Sequence, residues 1–178
     1  AAETAGLPSF RRYMDDRRYY EAPGRYPIEG AYVEGWGLYS EYLGTELGLY
    51  TDPYQLIGRL SAEMWRACRL VVDTGIHALG WPLARAADYM AARTVTSRAN
   101  IEAEVRRYAT WPGQAVGYKC GELEILRLRR KFESAAAADD VHAKLVTVRV
   151  FHDLVLRGGS MPLSLLEEVI DEFLAAAQ

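Results

Sequence analysis

The chain has little of what most readily betrays a function. Its two cysteines, Cys68 and Cys120, are too few for a disulfide framework, and no CxxC knuckle offers them to a metal. Neither sign of charge dominates: 21 basic residues face 24 acidic ones for a net charge of -3, which removes the basic bias of a nucleic-acid binder. The charges alternate rather than forming blocks, so no acidic tail or polybasic membrane patch stands out. The apolar runs fall well short of the ~20 residues a spanning helix needs. There is no Gly-rich phosphate loop ahead of a helix, no GxSxG elbow and no Cys/His nucleophile signature. The three histidines, His77, His142 and His152, do not form the HExxH pair that grips zinc one helical turn apart. "AAETAGLPSF" lacks the basic start and apolar core of a signal peptide. It also lacks an initiator Met, and the expectation is a piece of a longer polypeptide.

What is there is helical periodicity. With 178 residues, half of them hydrophobic, the chain can bury one sizeable core. No alternating strand pattern interrupts the period of 3.6, so the expected fold is all-α, one helical domain over 1–178. A short mixed-charge helix is expected over 7–20, then a loop at "EAPGRYP". "AYVEGWGLYSEYLGTELG" should run as a helix to about Gly48. Thr51 or Asp52 should cap a long helix that starts at Pro53 and ends near Gly80. Pro82 should open a third helix, Thr96 or Ser97 cap a fourth, and "TWPGQ" start a long fifth. "DDVHAKLVT" reads as loop, "FHDLVL" as a short helix stopped by "RGG", and "PLSLLEEVIDEFLAAA" as a closing amphipathic helix.

Several residues fit that frame poorly or unusually well. Glu34 and Glu41 interrupt an otherwise aromatic and apolar run over residues 31–44, and an ionised carboxylate on such a face calls for a cation, basic side chain or metal. Arg69, Asp73 and His77 follow one another at i, i+4 and share a helix face. They could be a carboxylate-oriented histidine backed by an arginine, or a surface salt-bridge ladder. Gln114 and Tyr118 are also four apart. Gly113, Gly117 and Gly121 repeat at that interval beside them, which admits either a close helix or a ligand. Tyr118 could donate to a developing oxyanion. Cys68 and Cys120 are expected as reduced, buried thiols, and His152 as structural, bonded to backbone or Asp153.

Four blocks in order, "YVEGWGLYSEYLG", "RACRLVVDTGIHALGW", "RYATWPGQAVGYKCGELEI" and "FHDLVLRGGSMPLSLLE", resemble one family, the eight-eight-five domain-of-unknown-function family. Its members look like zinc-dependent peptidases of the gluzincin type, and the match runs from about Leu7 to Val169. The resemblance implies that Glu34, in "EGW", is the third zinc ligand of the full-length protein. It implies that a zinc-bound water attacks a peptide carbonyl. His77 and Tyr118 would be catalytic, stabilising the oxyanion, and Arg107, Tyr108 and Gln114 would line the substrate cleft. Arg69 and Asp73, by their spacing to His77 and not by the resemblance, would stand behind it.

The same resemblance expects an upstream H-E-x-x-P-G-H-H helix carrying two zinc-binding histidines and the general base, and that block is absent from this sequence. The chain alone is therefore expected to bind no zinc and to be inactive, the C-terminal portion of a peptidase. Smaller departures are Arg106, where the family often has an acidic residue, Pro82, where a capping Thr is usual, and the poor fit of residues 139–150. The alternatives are a non-catalytic helical binding domain that keeps the cleft for a peptide or partner, and a plain structural fragment. The expected partners are a peptide substrate and the missing N-terminal half, with no nucleic acid or membrane. Self-association is expected through an apolar face left exposed.

Overall fold

The structure is a computed structural model that describes residues 29–136 and 146–176. Among the described residues there are seven helices and no strand, so the all-α expectation holds. They are α1 (Gly30–Glu46), α2 (Pro53–Leu79), α3 (Leu83–Ala91), α4 (Arg98–Thr110), α5 (Gln114–Ala136), α6 (Val148–Arg157) and α7 (Leu163–Ala176). The expected helix over 7–20, the loop after it and most of "DDVHAKLVT", with His142, lie outside the described residues.

The chain divides into two compact units. A middle unit comprises residues 34–123, and a terminal unit comprises 1–33 with 124–178.

In the middle unit, local chemistry sets the helix ends. Asp52 caps α2 by accepting the Tyr54 and Gln55 N–H groups at 2.8 and 3.0 Å, with Pro53 in the first turn. Gly80 ends α2 in the left-handed conformation, φ 63°. The Trp81 N–H then reaches back to the Gly75 carbonyl at 2.8 Å. A Cβ on Gly75 would lie 2.6 Å from the Trp81 ring, so "GIHALGW" ends its helix by seating Trp81 on a bare patch of its own backbone. Ser97 caps α4 through the Asn100 N–H at 3.3 Å. The middle core joins Cys68 and Val72 of α2, Ala86, Ala87 and Met90 of α3, Ile101, Val105 and Tyr108 of α4, and Ala115 of α5.

The terminal unit has a core of Ile125, Leu128, Phe132, Phe151, Val155, Leu166 and Ile170, none of them reached by solvent. Phe132 stacks on Phe173 at 5.8 Å and meets Phe151 at 5.7 Å. Tyr32 donates its hydroxyl proton to the Val155 carbonyl.

Three expectations need correcting. The helix at "FHDLVL" begins earlier, at Val148, because Thr147 caps it through the Val150 N–H. Cys68 is buried as expected, and burial raises its thiol pKa, but Cys120 is exposed because it lies on the outward side of α5. Gly113 is not in a helix: it forms the turn ahead of α5 with φ 82°. Gly117 and Gly121 are buried in α5, and a Cβ on Gly35 would sit 2.5 Å from the Gly121 carbonyl carbon and 2.8 Å from the Glu122 nitrogen. Backbone contact between helices thus explains Gly121.

Candidate functional site

The polar residues of α2, α4 and the start of α5 meet in the middle unit. Arg69 is only 8% exposed. Its Nε donates to the Tyr108 hydroxyl at 2.9 Å and its Nη2 to Glu104 at 3.4 Å. Its guanidinium lies 4.7 Å from the Tyr118 ring centroid and 5.4 Å from that of Tyr108. Stacking on aromatic faces suits a weakly hydrated planar cation. Arg66, one turn earlier, reaches Tyr118 at 5.9 Å and pairs with Glu41 at 3.1 Å.

Glu104 is the anionic centre, and the sequence reading missed it. Arg107 grips both of its oxygens, Nε to Oε1 at 3.1 Å and Nη2 to Oε2 at 3.0 Å. That bidentate bond chiefly holds the Glu104 carboxyl below the usual range, against the opposing effect of burial. The third arm of Arg107, Nη1, donates to Gln114 Oε1 at 3.1 Å. The signal in the sequence was the i, i+3 pair in "EVRRY". Tyr108 belongs to the core, and burial pushes its phenol pKa upward.

The helix-face ladder of Arg69, Asp73 and His77 is not formed as side-chain pairs. Each turns instead to another element. Asp73, 4% exposed, accepts the Gly113 N–H at 3.2 Å, and its second oxygen is buried without a partner. His77 places Nε2 3.0 Å from the Tyr108 carbonyl. A carbonyl only accepts, so Nε2 carries the proton. The Trp111 N–H meets the same carbonyl at 3.1 Å, and together these tie down the C-terminal turn of α4. Tyr118 is half-buried, and among the described residues its hydroxyl has no hydrogen-bond partner.

Glu34 and Glu41 of α1 differ. Glu41 has Arg66, whereas half-buried Glu34 has no hydrogen bond or ion pair among the described residues. Among the described residues no hydrogen bond or ion pair joins Glu34 to the network above. Among the described residues no cluster of three His, Cys, Asp or Glu side chains could hold a metal ion. Zinc sites usually take three or four protein ligands, so these residues do not by themselves fit one. No described helix is long and apolar enough to cross a membrane.

A second buried ionic group lies on α5. Lys119 bonds Glu63 at 2.7 Å and also the almost wholly buried Glu122, while Arg59 holds the other oxygen of Glu63 at 2.8 Å. The Lys119 bond chiefly lowers the Glu63 pKa. Burial works against the charge on Lys119, but the two carboxylates outweigh it and its pKa rises.

Packed helices with Arg69 buried among their tyrosines make this an all-α domain. The family model described as "Bacterial protein of unknown function (DUF885)" matches residues 1–170, and the chain belongs to that family. It is also similar to a solved structure, "the putative lipoprotein from Colwellia psychrerythraea", at 43% identity and a TM-score of 0.75. The match covers 83% of this chain and 24% of that one, so the chain spans about a quarter of that protein's length. Among curated proteins none matches the chain significantly.

Proposed function

We propose that this chain is the C-terminal portion of a zinc-dependent peptidase, a hydrolase of peptide bonds whose metal site is completed by residues outside those described. The observation that carries the reading is the contrast within α1: Glu41 is neutralised by Arg66, whereas Glu34, on the same helix, has no protein cation among the described residues. A half-buried carboxylate without a cation suits a metal ligand. Glu34 is then one zinc ligand, and Tyr118, its hydroxyl free, is the group of this chain able to donate to a developing oxyanion. His77 has committed Nε2–H to a carbonyl, so it could donate to an oxyanion through Nδ1 only as the imidazolium. Arg107 and Gln114 are assigned to peptide binding, with Arg69 and Asp73 behind them.

The test is Glu34→Gln in the full-length protein, with zinc per polypeptide measured by elemental analysis. A sharp fall in bound zinc with the fold intact is expected. Unchanged stoichiometry would sink the ligand assignment.

A second reading is a non-catalytic helical binding domain, and one feature bears on both readings. Ile57, Leu60, Met64 and Val71 of α2 are exposed at helical spacing and form an apolar stripe. Under either reading this stripe is proposed to drive contact with the rest of the polypeptide or with a second copy. Light scattering showing monodisperse monomer at high concentration of the isolated chain would count against it.

A further inference from the structure

We infer that Glu104 is a positioning residue, which through Arg107 fixes the amide of Gln114 so that its NH2 group, not its carbonyl, is offered to a bound peptide. The inference rests on the peptidase reading and adds to it the polarity of one binding contact.

Arg107 has nitrogens only, so the Gln114 atom at 3.1 Å from Nη1 must be the oxygen. The amide is thereby oriented. Its Nε2 has no partner among the described residues and is not among the buried unsatisfied atoms, so solvent reaches it. A free amide NH2 donates two protons and accepts none. It therefore selects an acceptor, and the acceptor every peptide carries is a backbone carbonyl oxygen.

What prevents Gln114 from flipping is the chain of bonds behind it. Glu104 takes two of the three arms of Arg107, which leaves Nη1 as the arm that faces Gln114. Glu104 is itself held by Arg69, which is buried and stacked on two tyrosines. The relay thus runs from the core to the half-buried start of α5. An isolated i, i+3 pair on a helix surface would have no such termini.

The experiment uses the full-length protein with Glu104→Gln, Glu104→Asp and Gln114→Glu. Kinetics on a peptide substrate are measured beside zinc content and the NMR signal of the Arg107 Nε–H. Glu104→Gln breaks the two-pronged grip and should raise KM roughly tenfold, the factor given by losing one hydrogen bond of ordinary strength. Zinc content should stay unchanged, and kcat should move less than KM. Glu104→Asp keeps a carboxylate and should recover part of the loss. Gln114→Glu offers an acceptor where a donor stood and should raise KM at least as much. The Arg107 Nε–H should exchange slowly in the parent protein and quickly in Glu104→Gln.

An unaltered KM in both Glu104→Gln and Gln114→Glu would overturn the inference, as would loss of zinc in place of the KM effect. A full-length parent that cleaves no peptide would sink the peptidase reading. In that case the NMR signal decides the relay alone. Slow exchange in the parent that is lost in Glu104→Gln upholds it, and fast exchange in the parent overturns it.

Discussion

The two units keep their charges in different places. All three buried charged side chains among the described residues, Arg69, Asp73 and Glu122, belong to the middle unit. In the terminal unit the described core is aliphatic and aromatic, and ion pairs such as Lys131–Asp171 at 2.5 Å and Arg127–Glu167 at 2.6 Å involve well-exposed partners. Stability alone does not explain that contrast. Apolar side chains of similar volume often do as well as a buried ion pair, or better. Buried charge that persists beside an aromatic cluster therefore marks the middle unit as the place where orientation matters, and the terminal unit as packing.

The strongest way to break this comparison is to cut each core at its centre. Arg69→Ala empties a buried site stacked on two tyrosines and removes the donor to the Tyr108 hydroxyl, while Arg107 still holds both oxygens of Glu104, and should cost about 3–5 kcal/mol. Phe132→Ala, which empties the ring cluster of the terminal unit, should cost a similar ~3–5 kcal/mol. Denaturant melts give the sizes, and native-state hydrogen exchange tells where each loss falls. If Arg69→Ala costs under ~1 kcal/mol, the polar network does not support the middle core.

Glycines sharpen the picture at smaller amplitude. A methyl on Gly35 would meet the backbone of Gly121 and Glu122, which no rotamer change can move, so Gly35→Ala should destabilise by about 1–3 kcal/mol or more. Gly58 sits inside α2 with nothing within 4 Å of an added Cβ. Gly58→Ala should therefore stabilise, by about 0.5–1 kcal/mol, because alanine loses less backbone freedom in a helix. A thermal melt of both variants is enough. A Gly35→Ala variant as stable as the parent would refute the close crossing.

Such local features were legible in the sequence to very different degrees. The caps at Asp52 and Ser97 and the stop at Gly80 are written within three or four residues of where they act, and periodicity alone reveals the helices they bound. Ladder spacing misled for the converse reason. Arg69, Asp73 and His77 are neighbours on one face, but their partners are Glu104, the Gly113 N–H and the Tyr108 carbonyl, each more than thirty residues away. Glu34 and Glu41 look alike in their own helix, and only Arg66, 25 residues beyond Glu41, separates them. Residues whose role depends on a partner from another helix cannot be ranked by spacing. A resemblance over four blocks pointed to Gln114 and Arg107, but it could not show that Glu104 stands behind both.

The smallest expected effect is also the one that separates the two kinds of charge most cleanly. Both Glu104 and Glu167 have pKa values below the ordinary 4.5, Glu104 chiefly through Arg107 and Glu167 chiefly through Arg127. A carboxyl whose folded pKa is depressed stabilises the fold fully above its unfolded value and loses that contribution as pH falls through the folded one. Each should therefore steepen the fall in stability below about pH 4.5, and each Glu→Gln variant should flatten it. Salt tells them apart. At ~1 M the screening length shrinks to about 3 Å, which suppresses an exposed pair far more than a partly buried, bidentate one. Glu167→Gln should lose its effect on the acid slope in high salt, whereas Glu104→Gln should keep most of it. Acid titrations of the denaturation midpoint at two salt concentrations read this directly. An equal salt response would mean that Glu104 is only another surface charge, and the contrast between the two units would then rest on Arg69, Asp73 and Glu122.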